Sequence, residues 1–250
     1  MADVVEKIVG LSEGKRELLE LLLRKDGVDL TRSMIIPHAK SRDRFLLSFA
    51  QRRLWFLHQL EPSNPVYNIS SAVRITGVLD EEALEKSIGE VVRRHESLRT
   101  TFVVENEEPV QVVHPFAGTA IVKRSLKELS AAEREREARC LADEEAGRPF
   151  DLSVGPLLRT MLLQFDEATW ILLITMHHII SDGWSIGIFI GEMTALYEAF
   201  STGTGPSLEE LSIQYADFAE WQRNRLSGDR LEEQLAYWRK QLGESTGYLE

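Results

Sequence analysis

The chain has 250 residues and a formal net charge of −11 at pH 7, which leaves room for one large domain or two small ones with a buried core. The acidic balance disfavours nucleic acid and anionic membranes as partners, because both reward basic surfaces. A single cysteine, Cys140, excludes an internal disulfide and fits a reducing cytoplasm.

Residues 1–40 have the pattern of a leader. Leu11, Leu18, Leu19, Leu22 and Leu23 share one helical face, and Gly27 is placed to end that helix. Met1 to Gly10 carries Asp3, Glu6 and Lys7 and lacks the apolar run of a signal peptide. Ser33 to Arg44, with Pro37 and several charges, reads as a linker. A helix over Ala50 to Leu60 stops at the turn Glu61-Pro62-Ser63-Asn64-Pro65, and Tyr67 to Thr76 follows as a strand. Asp80 caps a helix whose Leu84, Ile88, Val91 and Val92 have helical spacing, ending near Glu96. Thr100–Val104 and Val110–Val113 pair as a hairpin around residues 105–108. Ser130 and Glu133 form a capping box for a further helix that ends before Gly147. That helix carries Cys140 among charges, a poor setting for a nucleophile.

Leu157–Phe165 and Trp170–His177 are apolar runs without clean alternation, the pattern of central strands covered on both faces. Ile171 to Met176, the most apolar stretch, is too short to span a bilayer. From Ser185 the period turns helical, through Ile186, Phe189, Ile190, Met193, Leu196, Tyr197 and Phe200. Residues 201–206 break the pattern, and the tail is helical again around Ala216–Asn224 and Leu231–Leu242. The mixture predicts an α/β layered domain, helices packed on a mixed sheet.

Chemistry concentrates at Met176 to Ser185, where a buried strand gives way to a helix. Neighbouring strand residues face opposite sides, so His177 and His178 cannot share a pocket while the strand persists. That disfavours a metal site. A neutral imidazole there can accept a proton near pH 7. Asp182 is placed either to orient that ring or to pair with an arginine elsewhere, and Gly183 permits close approach of its backbone to substrate. A Walker A loop and a dinucleotide fingerprint are absent from the sequence.

The stretch His177-His178-Ile179-Ile180-Ser181-Asp182-Gly183 matches the HHxxxDG motif of nonribosomal peptide synthetase condensation domains. Ser48 to Leu57, Arg94 to Phe102 and Tyr215 to Gln222 resemble that family's first, second and fourth motifs, in family order and spacing. The resemblance runs from about Leu11 to the C-terminus. It implies a chloramphenicol-acetyltransferase-like lobe at 41–205. Residues 206–250 would be the linker and first helices of a second lobe that is otherwise largely missing. It implies amide formation between a carrier-bound acyl or peptidyl thioester and a carrier-bound aminoacyl acceptor. No cofactor binds directly; the phosphopantetheine arms of partner carrier domains hold the substrates. Because Met1 lies close to the first motif, the expectation is a donor delivered in trans, from a separate protein or as a free acyl thioester. Because the second lobe that would close the substrate tunnel is missing, the isolated chain is expected to be inactive.

By the same resemblance His178 is the catalytic position and His177 is structural. Asp182 pairs with an arginine of the second motif, Arg94 first and Arg99 second. Ser181 resembles the subtype that takes an L-configured donor. Two alternatives stay open: a relative that acylates a free alcohol or amine, and a silent lobe that only holds a carrier domain.

Overall fold

Nine residues from Thr169 to His177 form the strand on which the architecture hangs. The computed structural model describes residues 42–205 and 208–243, with Lys15, Leu18, Leu19 and Leu22 as four helical positions of the leader. The expected helix end at Gly27 and the linker up to residue 41 lie outside the described residues. Arg44, expected in that linker, instead begins strand β1 (Arg44–Leu46).

In chain order the elements are β1, α1 (Phe49–Leu60), β2 (Asn68–Thr76), α2 (Glu81–Arg94), β3 (Thr100–Glu105), β4 (Glu108–Val113), β5 (Val122–Ser125), α3 (Ala131–Gly147), β6 (Leu158–Gln164), β7 (Thr169–His177), α4 (Gly183–Thr202), α5 (Tyr215–Arg225) and α6 (Asp229–Leu242). Single 3-10 turns, Pro65–Tyr67 and Glu96–Arg99, precede β2 and β3.

The larger sheet has the order β2-β7-β6-β5. β7 runs antiparallel to both neighbours, with Asn68 opposite His177 and Leu158 opposite Met176. β5 is parallel to β6, and the α3 crossover between them makes that possible. The packing around β7 explains why it shows no alternation. Trp170, Leu172, Ile174 and Met176 enter one core with Leu84, Ile88, Val91, Phe189, Met193 and Leu196 of α2 and α4. Ile171 and Leu173 enter a second core, with Met161, Leu163 and Ala138 of α3. Both faces are covered, as a central strand requires.

A smaller sheet, β1-β4-β3, lies apart from the first in strand pairing. Its β3–β4 hairpin turns through Asn106 and Glu107, both at positive φ (50° and 68°), the backbone that a two-residue turn between twisted strands demands. α1 starts at a complete capping box: the Gln51 amide donates to Ser48 Oγ (3.1 Å) and the Ser48 amide to Gln51 Oε1 (2.9 Å). α5 braces that same corner, with Ser48 Oγ 3.0 Å from the Tyr215 hydroxyl and the Phe49 amide donating to Gln222 Oε1 (2.9 Å). Thus the first and fourth motifs form one structural joint. Among the described residues no helix is long and apolar enough to cross a membrane.

Candidate functional site

β7 ends at His177, and residues 178–180 form a turn before Asp182 caps α4. His177 is 3 % exposed, whereas His178 is exposed. The backbone N–H of His178 donates to the Tyr67 carbonyl (2.8 Å), continuing the pairing with β2 one residue past the strand. Its ring turns back onto its own loop, with Nδ1 2.8 Å from the Ser181 carbonyl. A carbonyl oxygen only accepts, so Nδ1 carries the proton. In the neutral ring, Nε2 then holds the lone pair.

His177 has the opposite tautomer. The Ile179 amide donates to its Nδ1 at 3.1 Å, which places the lone pair there and the proton on Nε2. Three rings surround it: His58 (6.0 Å), Phe150 (6.2 Å) and Tyr67 (6.4 Å between centroids). Burial, with lesser repulsion from His58 and His178, lowers the His177 pKa to about 4, so the ring is neutral at physiological pH.

Asp182 does not pair with Arg94 or Arg99, which corrects the expectation from the motif. Its Oδ1 accepts from the Ser185 amide (2.8 Å) and the Ser185 hydroxyl (2.6 Å), capping α4 from an exposed position. These hydrogen bonds hold its carboxyl below the ordinary range. A Cβ on Gly183 would meet nothing within 4 Å, so the space beside the first turn of α4 is open.

Arg94 is 5 % exposed and is satisfied elsewhere. Its Nε lies 3.2 Å from Glu192 Oε2, and Nη1 donates to the carbonyls of Glu209 (2.8 Å) and Leu208 (3.4 Å). His95 Nε2 meets the same Glu192 oxygen at 2.9 Å. Burial pushes the Glu192 carboxyl up, but the Arg94 and His95 hydrogen bonds hold it below its ordinary range. Arg99 donates to the His114 carbonyl and to Glu96 Oε1 (3.3 Å). The second motif therefore clamps the third turn of α4 and the segment beyond it, rather than the His178 turn. Arg94 meets α4 at Glu192, ten residues beyond Asp182.

His58 carries no motif or spacing that would single it out in the sequence. It lies on α1, on the inward side marked by Gln51, Leu54 and Trp55 at helical spacing. With Trp55, Phe102, Phe150, Asp151 and Ser153 it lines a cavity of about 520 Å³. Burial lowers the His58 pKa and Asp151 partly offsets that. The Asp151 loop is held from β6: Arg159 donates to the Glu145 and Arg148 carbonyls (2.9 and 2.7 Å) and stacks on Phe150 at 3.7 Å. Cys140 is exposed on α3, where Glu144 and other carboxylates raise its pKa, a setting that does not activate a thiol. Among the described residues no group of three His, Cys, Asp or Glu could hold a metal ion.

Residues 41–250 match the family model described as a condensation domain. The chain is 48 % identical over 236 residues to a component of the linear gramicidin synthase of Brevibacillus parabrevis, covering 94 % of this chain and 3 % of that one. It is 42 % identical over 242 residues to phosphinothricin tripeptide synthetase PhsC of Streptomyces viridochromogenes, covering 97 % and 22 %. The crystal structure of the starter condensation domain of rhizomide synthetase RzmA superposes with a TM-score of 0.72 at 25 % identity, covering 82 % of this chain and 49 % of that one. The chain thus spans about half the length of the solved condensation domain and a small part of the curated synthetases.

Proposed function

The chain belongs to the condensation-domain family of nonribosomal peptide synthetases, and from that premise we propose that it forms amide bonds between a carrier-bound acyl or peptidyl thioester and a carrier-bound aminoacyl acceptor. Among the described residues from 42 to 243, two sheets and six helices make one lobe of the chloramphenicol-acetyltransferase-like kind. The observation that carries the chemistry is the His178 tautomer: Nδ1–H is engaged by the Ser181 carbonyl, and the Nε2 lone pair is left on an exposed ring.

In this reading the acceptor amine attacks the thioester carbonyl carbon while Nε2 takes the amine proton. The C–N bond forms, the tetrahedral intermediate collapses with cleavage of the C–S bond, and the imidazolium returns the proton to the departing thiolate. The same ring can also act by positioning the amine and stabilising the intermediate. The thioester is already activated, so the reaction asks for no directly bound cofactor; phosphopantetheine arms of carrier domains present both substrates. His177 supports the turn from behind, Asp182 and Gly183 start α4, and Arg94 and Arg99 hold the frame. Ser181 favours an L-configured donor, and the acidic, single-cysteine chain fits a cytoplasmic synthetase.

The test uses a two-lobed enzyme carrying this lobe, with one carrier loaded as donor and another as acceptor. His178→Ala should cut amide formation by about a hundredfold to ten-thousandfold with an unchanged melting temperature. Near-normal turnover would remove the catalytic assignment. The 250-residue chain alone should show no measurable condensation, because positioning and exclusion of water supply much of the rate in such sites. Robust turnover by it would favour a free-acceptor acyltransferase.

A further inference from the structure

Past α4 the chain is docked twice and then released. Segment 208–214 is fastened to the end of α2. Arg94 Nη1 donates to the Glu209 and Leu208 carbonyls, Arg93 pairs with Glu210, Gln214 Nε2 donates to the Arg94 carbonyl (2.9 Å), and the Glu96 amide donates to Gln214 Oε1 (3.1 Å). α5 is then fastened to the other side. It buries Ala216, Asp217 and Ala219, meets Ser48 and Phe49 through Tyr215 and Gln222, and reaches the Leu47 carbonyl through Arg223.

α6 is different. None of its residues is buried. Leu231, Leu235, Trp238 and Leu242 lie at i, i+4, i+7 and i+11, one line along the helix, and Leu231, Trp238 and Leu242 are exposed. Between the two helices stands Gly228, at φ +56° and ψ −140°, a backbone region that residues with a Cβ avoid. A Cβ built there would meet nothing within 4 Å, so conformation rather than crowding demands glycine.

We propose that Ser227–Gly228 is a swivel between two mechanical bodies. The described residues from 42 to 225, including the whole fourth motif, move rigidly with the His178 sheet, and α6 opens the second body. The break at 203–205 then lies inside the first body, because 208–214 beyond it is fastened to the end of α2. This inference concerns how the chain moves and does not rest on the chemistry assigned to His178.

Distances between paired spin labels test it. Exposed Cys140 on α3 takes one label, and Asn224→Cys on α5 or Glu233→Cys on α6 takes the other. The α5 distance should be single and narrow, and the α6 distance at least about twice as broad. Gly228→Ala should shift the α6 distribution and leave α5 unchanged. Gln214→Ala, which removes two clamp bonds, should broaden α5. An α6 distance as narrow as that of α5, or one indifferent to Gly228→Ala, overturns the swivel. So does a broad distance between labels at Glu233→Cys and Lys240→Cys in a Cys140→Ser background, since α6 would then be fraying rather than turning. A narrow α5 distance in Gln214→Ala would overturn the role of the clamp.

Discussion

Protonating His177 is a perturbation whose size the structure sets. The ring is 3 % exposed, ringed by His58, Phe150 and Tyr67, and its Nδ1 already accepts from the Ile179 amide. Burial lowers its pKa to about 4, against about 6.5 for an unfolded histidine. Between those values the unfolded chain binds the proton and the folded one does not, so stability falls as pH drops from about 6.5 to about 4 and is fully present above that window. The gap corresponds to about 3 kcal/mol, a large share of the roughly 5–15 kcal/mol typical of a whole domain. The nearby charges are His58 on α1, His178 on the turn and, beyond His58, Asp151; all three remain in a His177→Phe variant, which keeps an aromatic ring in place. Urea unfolding of both proteins at pH 7.5, 5.5 and 4 isolates the effect. The stability difference should swing toward the variant by about 3 kcal/mol on acidification. Curves that stay parallel across that range would show that His177 does not titrate as its burial requires.

Asp182→Ala should lose about 1 kcal/mol, the usual effect of deleting a helix cap, in soluble protein followed by urea denaturation; a loss above about 3 kcal/mol would point to a buried ionic partner instead. Arg94→Ala should cost more, about 3–5 kcal/mol, because it strips Glu192 and two backbone carbonyls at once, and its midpoint shift should exceed that of Asp182→Ala in the same assay. Leu172→Ala, at the fully buried centre of β7, should lose about 2–5 kcal/mol by thermal or urea unfolding. Cys140→Ser should lie within about 0.5 kcal/mol of the parent.

The long periodic elements were legible in the sequence: β6, β7, α2 and α4 carry strong apolar patterns and clear caps, so local physics alone marks them. β1 and β5 were not. They are three and four residues long, β5 is exposed throughout, and strand pairing rather than propensity makes them strands. At the site, the motif marks the turn around His178, but residue types cannot tell a capping aspartate from a paired one. Asp182 has the chemistry for either, and only the distance between the ends of α2 and α4 decides. His58 was illegible for a related reason. Its meeting with His177 depends on how α1 lies across the end of β7, a tertiary fact with no trace in local spacing.

The pairing of β2 with β7 also sets a timetable for synthesis. Asn68 stands opposite His177, 109 residues later in the chain. A ribosome working at about 5–20 residues per second takes on the order of 5–20 s to deliver the partner strand. Until then β2 leaves the ribosome as a nine-residue strand with its hydrogen-bonding edge bare and Val73 and Ile75 without their core, the kind of segment that recruits the wrong neighbour. The sheet that carries His178 therefore closes late, and a nascent chain stalled before β7 is complete leaves the β2 edge unpaired.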